Sequence, residues 1–547
     1  MLSCLSKYRG AIMVSWKSGF ITLSAVAALL SACQQAPEQQ AGGVSRSAPA
    51  VTAASAPAPA AKLMAKPMLL PGAAIAMPFQ GDRFTEVRPS TWAAVVEQPV
   101  STFSLDVDTA SYAYVRRSLR EGRLPPADAV RVEEMVNYFP YAYAGPQSKD
   151  QPFAVAATVT PSPWKPGAKL LHVGLKAWDA DRTQRPPARL TFLIDVSGSM
   201  APSDRLALIQ SALRQLGEGL RPDDQVAIVT YAGEAGVKLE PTAGDQLDKI
   251  VAVVDGLKAA GGTAGGAGLR TAYQLARQMK TPGAINRVIL ATDGDFNLGE
   301  TNPRQLEQLI GDYRRDGIYL TILGVGTGNL NDALMQRLAQ SGNGQAAYLD
   351  TVQEARKVWV EELGSTMAPV ADDVKAQVEF NPATVAEYRL IGYETRTLAQ
   401  ADFRDDRVDA GDIGAGHSVT ALYEFMPKGA ANTLIEPRRY GKMPPSKGNV
   451  GEYAMVKVRS KKPGTGTSLP LEVPVRVAGQ AASLDQASDD VRFSVAIAGF
   501  AQILRGQMPA TAWEDTIALA DGARGPDRQG WRAEAVQLMR LAASLKR

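Results

Sequence analysis

Asp195, Ser197 and Ser199 lie within five residues of one another in the stretch Leu193-Ile194-Asp195-Val196-Ser197-Gly198-Ser199-Met200, where an apolar strand runs straight into a turn. One carboxylate and two hydroxyls suit a hard divalent cation, and a single tight loop of this kind supplies about half of a roughly octahedral shell. Gly198 lets such a loop turn sharply. Alone, the D-x-S-x-S pattern is weak evidence, because Asp and Ser collect in turns for their own hydrogen bonds. Two later stretches strengthen it. Gly261-Gly262-Thr263-Ala264-Gly265-Gly266 precedes a helix and offers a hydroxyl at Thr263, and Ala291-Thr292-Asp293-Gly294-Asp295 ends a long strand with a carboxylate. In an open parallel sheet all three loops leave the carboxyl edge, where ligands bind. Asp295 and Asn297 stand beside these groups and read as loop or supporting residues.

The elements that must position these residues follow from periodicity. Strands are expected at 190–195, 225–231, 287–292, 319–325 and 346–349, alternating with helices at 246–257, 266–279, 303–315, 332–340 and 352–367. The first helix of the series has its apolar stripe at Leu206, Ile209, Leu213, Leu216 and Leu220, with Ser203 as its expected N-cap. This alternation predicts an α/β fold with a doubly wound, mostly parallel sheet over 187–368. Strand-like alternation on both sides, at 153–155 and 171–175 and again at 373–380, 388–393, 417–425, 453–458 and 471–477, places that domain as an insert in a β-rich, sandwich-like domain. The flanks comprise an N-terminal mixed segment (85–186), with helices expected at 110–121 and 127–139, and a β-rich part (369–480). A helical segment (481–547) closes the chain. His172 falls out of phase with the apolar face and reads as a partly exposed strand residue.

At this point the sequence resembles the von Willebrand factor A domain, in the order and spacing of its metal ion-dependent adhesion site. The resemblance implies a Rossmann-like domain and a ligand set of Asp195, Ser197, Ser199, Thr263 and Asp293. It also implies Mg²⁺ as the ion, with Mn²⁺ or Ca²⁺ as substitutes, and a partner protein whose Asp or Glu carboxylate completes the shell. Thr102-Phe-Ser-Leu-Asp-Val-Asp-Thr-Ala-Ser-Tyr112, Arg131-Val-Glu-Glu-Met-Val-Asn-Tyr-Phe-Pro140, Tyr388-Arg-Leu-Ile-Gly-Tyr393 and Gly411-Asp-Ile-Gly-Ala-Gly-His417 extend the likeness to bacterial YfbK-type von Willebrand A lipoproteins.

The remaining features bound the function. The chain has 547 residues, 45% of them hydrophobic and 21% charged, which is enough for several cored units. Its net charge of +3 supplies no field that suggests nucleic acid. Cys4 and Cys33 are its two cysteines and His172 and His417 its two histidines, so thiol chemistry in the body and His-based triads are poorly supplied. An apolar run from Ile21 to Ala32, after Lys17, has the layout of a secretory signal. It ends Leu30-Ser31-Ala32-Cys33, which resembles a lipobox and implies lipidation of Cys33. Residues 1–33 then form the signal and 34–84 an Ala/Pro-rich tether. Gln34 and Gln35, with no Asp at the second mature position, favour the outer membrane within the bacterial envelope. An enzyme is not expected. Asp106-Val-Asp108-Thr109 misses the phosphotransferase register by one position, with Asp108 or Thr109 instead expected to cap the next helix. Gly324-Val-Gly-Thr-Gly328 reads as an ordinary strand-to-helix turn. Metal-assisted hydrolysis would have only Asp295 as base. The alternative to partner capture is an envelope scaffold whose metal only stiffens loops.

Overall fold

The computed structural model describes residues 81–547 except 106–107, 180–184, 218, 263–264, 295–301, 360–368, 407, 409, 437–448, 464–465 and 547. In chain order the N-terminal flank contributes β1 (Ala93–Ala94), β2 (Val100–Ser104), α1 (Ala110–Arg120), α2 (Val132–Asn137), β3 (Phe153–Pro161) and β4 (Lys169–Ala177). The inserted domain follows with β5 (Ala188–Asp195), α3 (Leu206–Gly217), β6 (Gln225–Tyr231), β7 (Ala235–Ala243), α4 (Leu247–Asp255), α5 (Gly265–Met279), β8 (Ile285–Thr292) and α6 (Pro303–Arg315). It ends with β9 (Tyr319–Val325), α7 (Asp332–Ser341), β10 (Ala346–Leu349) and α8 (Val352–Lys357). The second flank runs β11 (Pro369–Phe380), β12 (Val385–Ile391), β13 (Thr397–Leu398), β14 (Ile413–Gly414), β15 (Ser418–Pro427), β16 (Glu452–Lys461) and β17 (Ser468–Arg476), then helices α9 (Asp489–Leu504), α10 (Trp513–Gly522) and α11 (Trp531–Leu545).

Five strands of the inserted domain form a parallel sheet in the order β10-β9-β8-β5-β6, and β7 joins its edge antiparallel to β6. The sheet is covered on both faces, which explains its near-continuous apolar strands: every residue of β8 is buried. One face packs against Leu269 of α5, Leu306 of α6 and Leu334 of α7. The other packs against Leu206 of α3, Ile250 of α4 and Ala355 of α8. Each leucine or isoleucine among them contributes about 1.5–3 kcal/mol when taken from water. The order reverses between β5 and β8, so their carboxyl ends border the crevice in which doubly wound sheets bind ligands.

The flanks share two sheets, β1-β12-β15-β4-β3 and β13-β2-β11-β16-β17, whose inner faces form a common core with Phe103, Leu171, Val378 and Phe425. Both sheets interleave strands from before and after the inserted domain: β2 pairs with β11 and β4 with β15. The inserted domain therefore interrupts a sandwich. Helices α1, α2 and α9 to α11 build a further core that also takes Leu170 and Leu422 from the outer face of the first sheet. Among the described residues no helix is long and apolar enough to cross a membrane.

Several local expectations are corrected. His172 is 2% exposed, because β4 is covered on both faces and its outer side lies under Tyr143, whose hydroxyl is 3.0 Å from His172 Nε2. Burial holds that imidazole down at about pKa 4. The helix expected at 127–139 is a 3-10 turn (Ala127–Ala129), an extended Arg131 and then α2. α3 begins at Leu206, so Ser203 lies in the preceding turn rather than at its cap. Thr109 occupies the N-cap position of α1 as expected but makes no side-chain cap bond, while Asp108 accepts from Ala346 N at 2.9 Å and from Arg396 Nη2 at 2.6 Å. β7 was not expected from the pattern. The end of the helix expected at 352–367 lies beyond the described residues.

Candidate metal centre

β5 delivers Asp195 to the sheet edge, and the turn after it is stitched to both neighbouring loops. Val196 N donates to Tyr231 O at 3.0 Å, Ala260 N to Val196 O at 2.8 Å and Gly198 N to Gly261 O at 3.0 Å. Gly198 lies in a 3-10 turn with Ser199 and Met200 and has no left-handed φ, and a Cβ there would meet the Gly261 carbonyl only in ordinary contact at 3.4 Å, so the sharp turn does not depend on glycine's freedom. Met200 is fully buried and plugs the turn into the core. The consequence is that Ser197 Oγ and Ser199 Oγ stand 3.0 Å apart. Adjacent oxygens around an octahedral Mg²⁺ are about 2.9 Å apart, given bonds of 2.0–2.1 Å.

Asp195 is fully buried, and the donors to it are neutral. Ser197 N donates to Oδ1 at 2.9 Å, while Tyr231 OH at 3.0 Å and Thr292 Oγ1 at 3.4 Å donate to Oδ2. Burial pushes its carboxyl up to about 6, Asp293 nearby adds to that rise, and the bonds from Ser197 and Tyr231 oppose it. Asp293, also fully buried, follows β8 on the adjacent loop. Gly294 then takes φ +92°, and a Cβ there would come 2.6 Å from Asn331 N and Leu330 Cα, so only glycine carries the chain under the loop after β9.

Arg205 ties these parts together. Its Nη1 donates to Asp293 Oδ2 at 2.5 Å and to Ser199 O at 2.8 Å, and its Nη2 donates to Thr327 O at 2.9 Å. Asn329 Nδ2 donates to the same Asp293 oxygen at 3.3 Å.

The donor chemistry fits a divalent cation. Two hydroxyls at ligand spacing border two dehydrated carboxylates, one of which burial makes costly to ionise and a cation would relieve. Among the described residues no group of three or more His, Cys, Asp or Glu side chains is arranged to hold a metal ion, so an ion here would rest on hydroxyls as much as on carboxylates. The structure brings Asp195, Ser197, Ser199 and Asp293 to one edge. Thr263, Asp295, Asn297 and the lipobox residue Cys33 lie outside the described residues.

Comparisons with known proteins place these parts in a family. The von Willebrand factor type A domain model matches residues 190–359, a model described as von Willebrand factor matches 78–172, and one described as the C-terminal part of uncharacterized protein YfbK matches 365–545. Uncharacterized protein YfbK of Escherichia coli is 45% identical over 460 residues, covering 82% of this chain and 79% of that protein. The chain belongs to the YfbK family. An uncharacterized Synechocystis protein is 26% identical over 351 residues, 62% of this chain and 77% of its own length. Among solved structures, a von Willebrand factor type A protein from Catenulispora acidiphila aligns over 74% of this YfbK-family chain and 91% of its own, at 17% identity and a TM-score of 0.41.

Sequence reasoning missed four residues that hold this YfbK-family site: Arg205, Tyr231, Thr292 and Asn329. Tyr231 and Thr292 end the strands beside β5, a position from which side chains at the carboxyl edge can reach one another. Arg205 carried no local signal. The stretch 324–328, read as an ordinary turn, supplies the Thr327 carbonyl that seats it.

Proposed function

We propose that this protein is a cell-envelope lipoprotein whose A domain captures a partner protein through a divalent cation. The ion would be held by Asp195, Ser197, Ser199, Thr263 and Asp293, with Mg²⁺ the expected occupant and Mn²⁺ or Ca²⁺ able to replace it. The observation that carries this reading is the 3.0 Å hydroxyl pair set against two fully buried carboxylates at the switch point of the sheet. When bound, the ion supplies Lewis acidity toward an incoming oxygen ligand. The protein's own groups do the rest: the hydroxyls add no charge, Tyr231 and Thr292 orient Asp195, and Arg205 and Asn329 orient Asp293. An Asp or Glu side chain of the partner would supply the remaining oxygen ligand. The role is binding, not catalysis.

The lipobox-like Leu30-Ser31-Ala32-Cys33 and the Ala/Pro-rich 34–84 support a lipid anchor and tether, and the residues after Cys33 favour the outer membrane. The test is a cross-linking pull-down from envelopes in Mg²⁺ and in EDTA, with wild type and Asp195→Ala. Partner recovery should require both Mg²⁺ and Asp195. Equal recovery in EDTA contradicts the bridge, and loss of folding without loss of recovery favours a scaffold whose metal only stiffens loops.

A further inference from the structure

Resting on that cation-binding reading, we infer that Arg205 sets the site's charge so that it holds a divalent cation moderately and, once loaded, selects a carboxylate. The guanidinium is built into the site. Its two terminal nitrogens reach Asp293, Ser199 and Thr327, which lie on three different loops, and the side chain is 13% exposed while that of Asp293 is fully buried. A seat has been made for it at Gly326, where φ is +73° and a Cβ would come 2.4 Å from Arg205 Nε and 3.0 Å from Cγ and Cδ. Tyr348 OH donates to Gly326 O at 2.7 Å and fixes that peptide. Nε itself is buried without a hydrogen-bond partner, an expense a surface arginine would avoid by turning to water.

The charge sum gives the consequence. Among the described residues, the two carboxylates Asp195 and Asp293 and the one guanidinium Arg205 sum to a single negative charge, and a divalent ion turns that sum singly positive. Without Arg205 the same cluster would run from doubly negative to neutral. Hydroxyls change neither sum. A buried positive charge beside the ion therefore weakens cation binding and strengthens the attraction for an incoming anion, both by Coulomb interaction in a poorly screened site. Arg205 is thus a positioning and specificity residue that also limits how tightly the ion is held.

The opposite signs provide the test. Mn²⁺ is titrated into the full chain and followed by water-proton relaxation, and acetate is then titrated into the Mn²⁺-loaded protein. Arg205→Gln should bind Mn²⁺ about tenfold more tightly and acetate about tenfold more weakly than wild type, about 1.4 kcal/mol in each direction. Arg205→Lys, which keeps the charge, should stay within about threefold of wild type in both. A Gln variant that binds Mn²⁺ no more tightly than wild type, or a Lys variant that behaves like Gln, overturns the assignment while leaving cation binding standing. A second readout needs no variant: in wild type, acetate and Mn²⁺ should each tighten the other's binding, and no mutual effect also overturns it. Failure of wild type and Arg205→Gln to bind Mn²⁺, with Asp195→Ala indistinguishable from both, sinks the cation reading and this inference together.

Discussion

Two buried clusters of charge in this protein are built from the same residue types to different ends. In the seam between the inserted domain and its flanks, guanidinium groups grip carboxylates in pairs. Arg131 reaches Asp332 through Nη1 at 2.9 Å and Nη2 at 3.2 Å, and Glu134 through Nε at 2.5 Å and Nη2 at 3.1 Å. Arg116 bonds both oxygens of Asp350 and also Glu354, at 2.6 Å. At the sheet edge, by contrast, the donors to Asp195 among the described residues are neutral, and Arg205 reaches Asp293 through one nitrogen. A carboxylate gripped through both oxygens by a fork-shaped cation of its own chain, as Asp332, Glu134 and Asp350 are, is committed to structure. One held by neutral donors in a dry site keeps its demand for positive charge, and that demand is what a cation site uses.

The seam should show the largest effect. Arg131→Met leaves Glu134 and Asp332 buried without their cation and should cost about 3–5 kcal/mol of stability, read from the urea midpoint. A loss below about 1 kcal/mol would mean that these paired charges do not hold the seam together.

His172 gives an effect of about 3 kcal/mol at most that depends on pH. Its folded pKa, about 4, lies below the ordinary 6.5, so the unfolded chain takes up the proton first. Its contribution is present above pH 6.5 and is lost as pH falls through about 4, by about 1.4 kcal/mol per unit. Urea midpoints measured across that window should fall toward acid, and His172→Asn should flatten the curve.

The smallest effect is the one with the opposite sign. Asp195→Asn removes a carboxylate whose ionisation burial opposes, so in EDTA the variant should be as stable as wild type or more stable by about 1 kcal/mol, while losing any response to Mg²⁺. A variant destabilised like Arg131→Met would assign Asp195 to the structural class.

Much of this was legible in the chain because it is local. β6 and β9 were expected at 225–231 and 319–325, where both are found, since strands buried on both faces write themselves as unbroken Val, Ile and Leu runs. The D-x-S-x-S turn was visible because one short segment carries three of its donors. β7 was not, because an edge strand with Lys238, Glu240 and Pro241 on its open side has little apolar pattern to show. Arg205, Arg131 and Asp108 were misread or overlooked because each has a partner far along the chain: Arg205 meets Asp293 88 residues away, Arg131 meets Asp332 201 residues away and Asp108 meets Arg396 288 residues away. Charge partnerships of that range leave no period in the sequence. His172 was misplaced because alternation reports one covered face, whereas helices cover the second.

The most direct test is a crystal of the protein grown with Mn²⁺ and measured for anomalous scattering. A difference peak bonded to Ser197 Oγ and Ser199 Oγ, beside Asp195 and Asp293, is the expected result. A fully occupied peak elsewhere, with nothing between the two hydroxyls, would contradict the account.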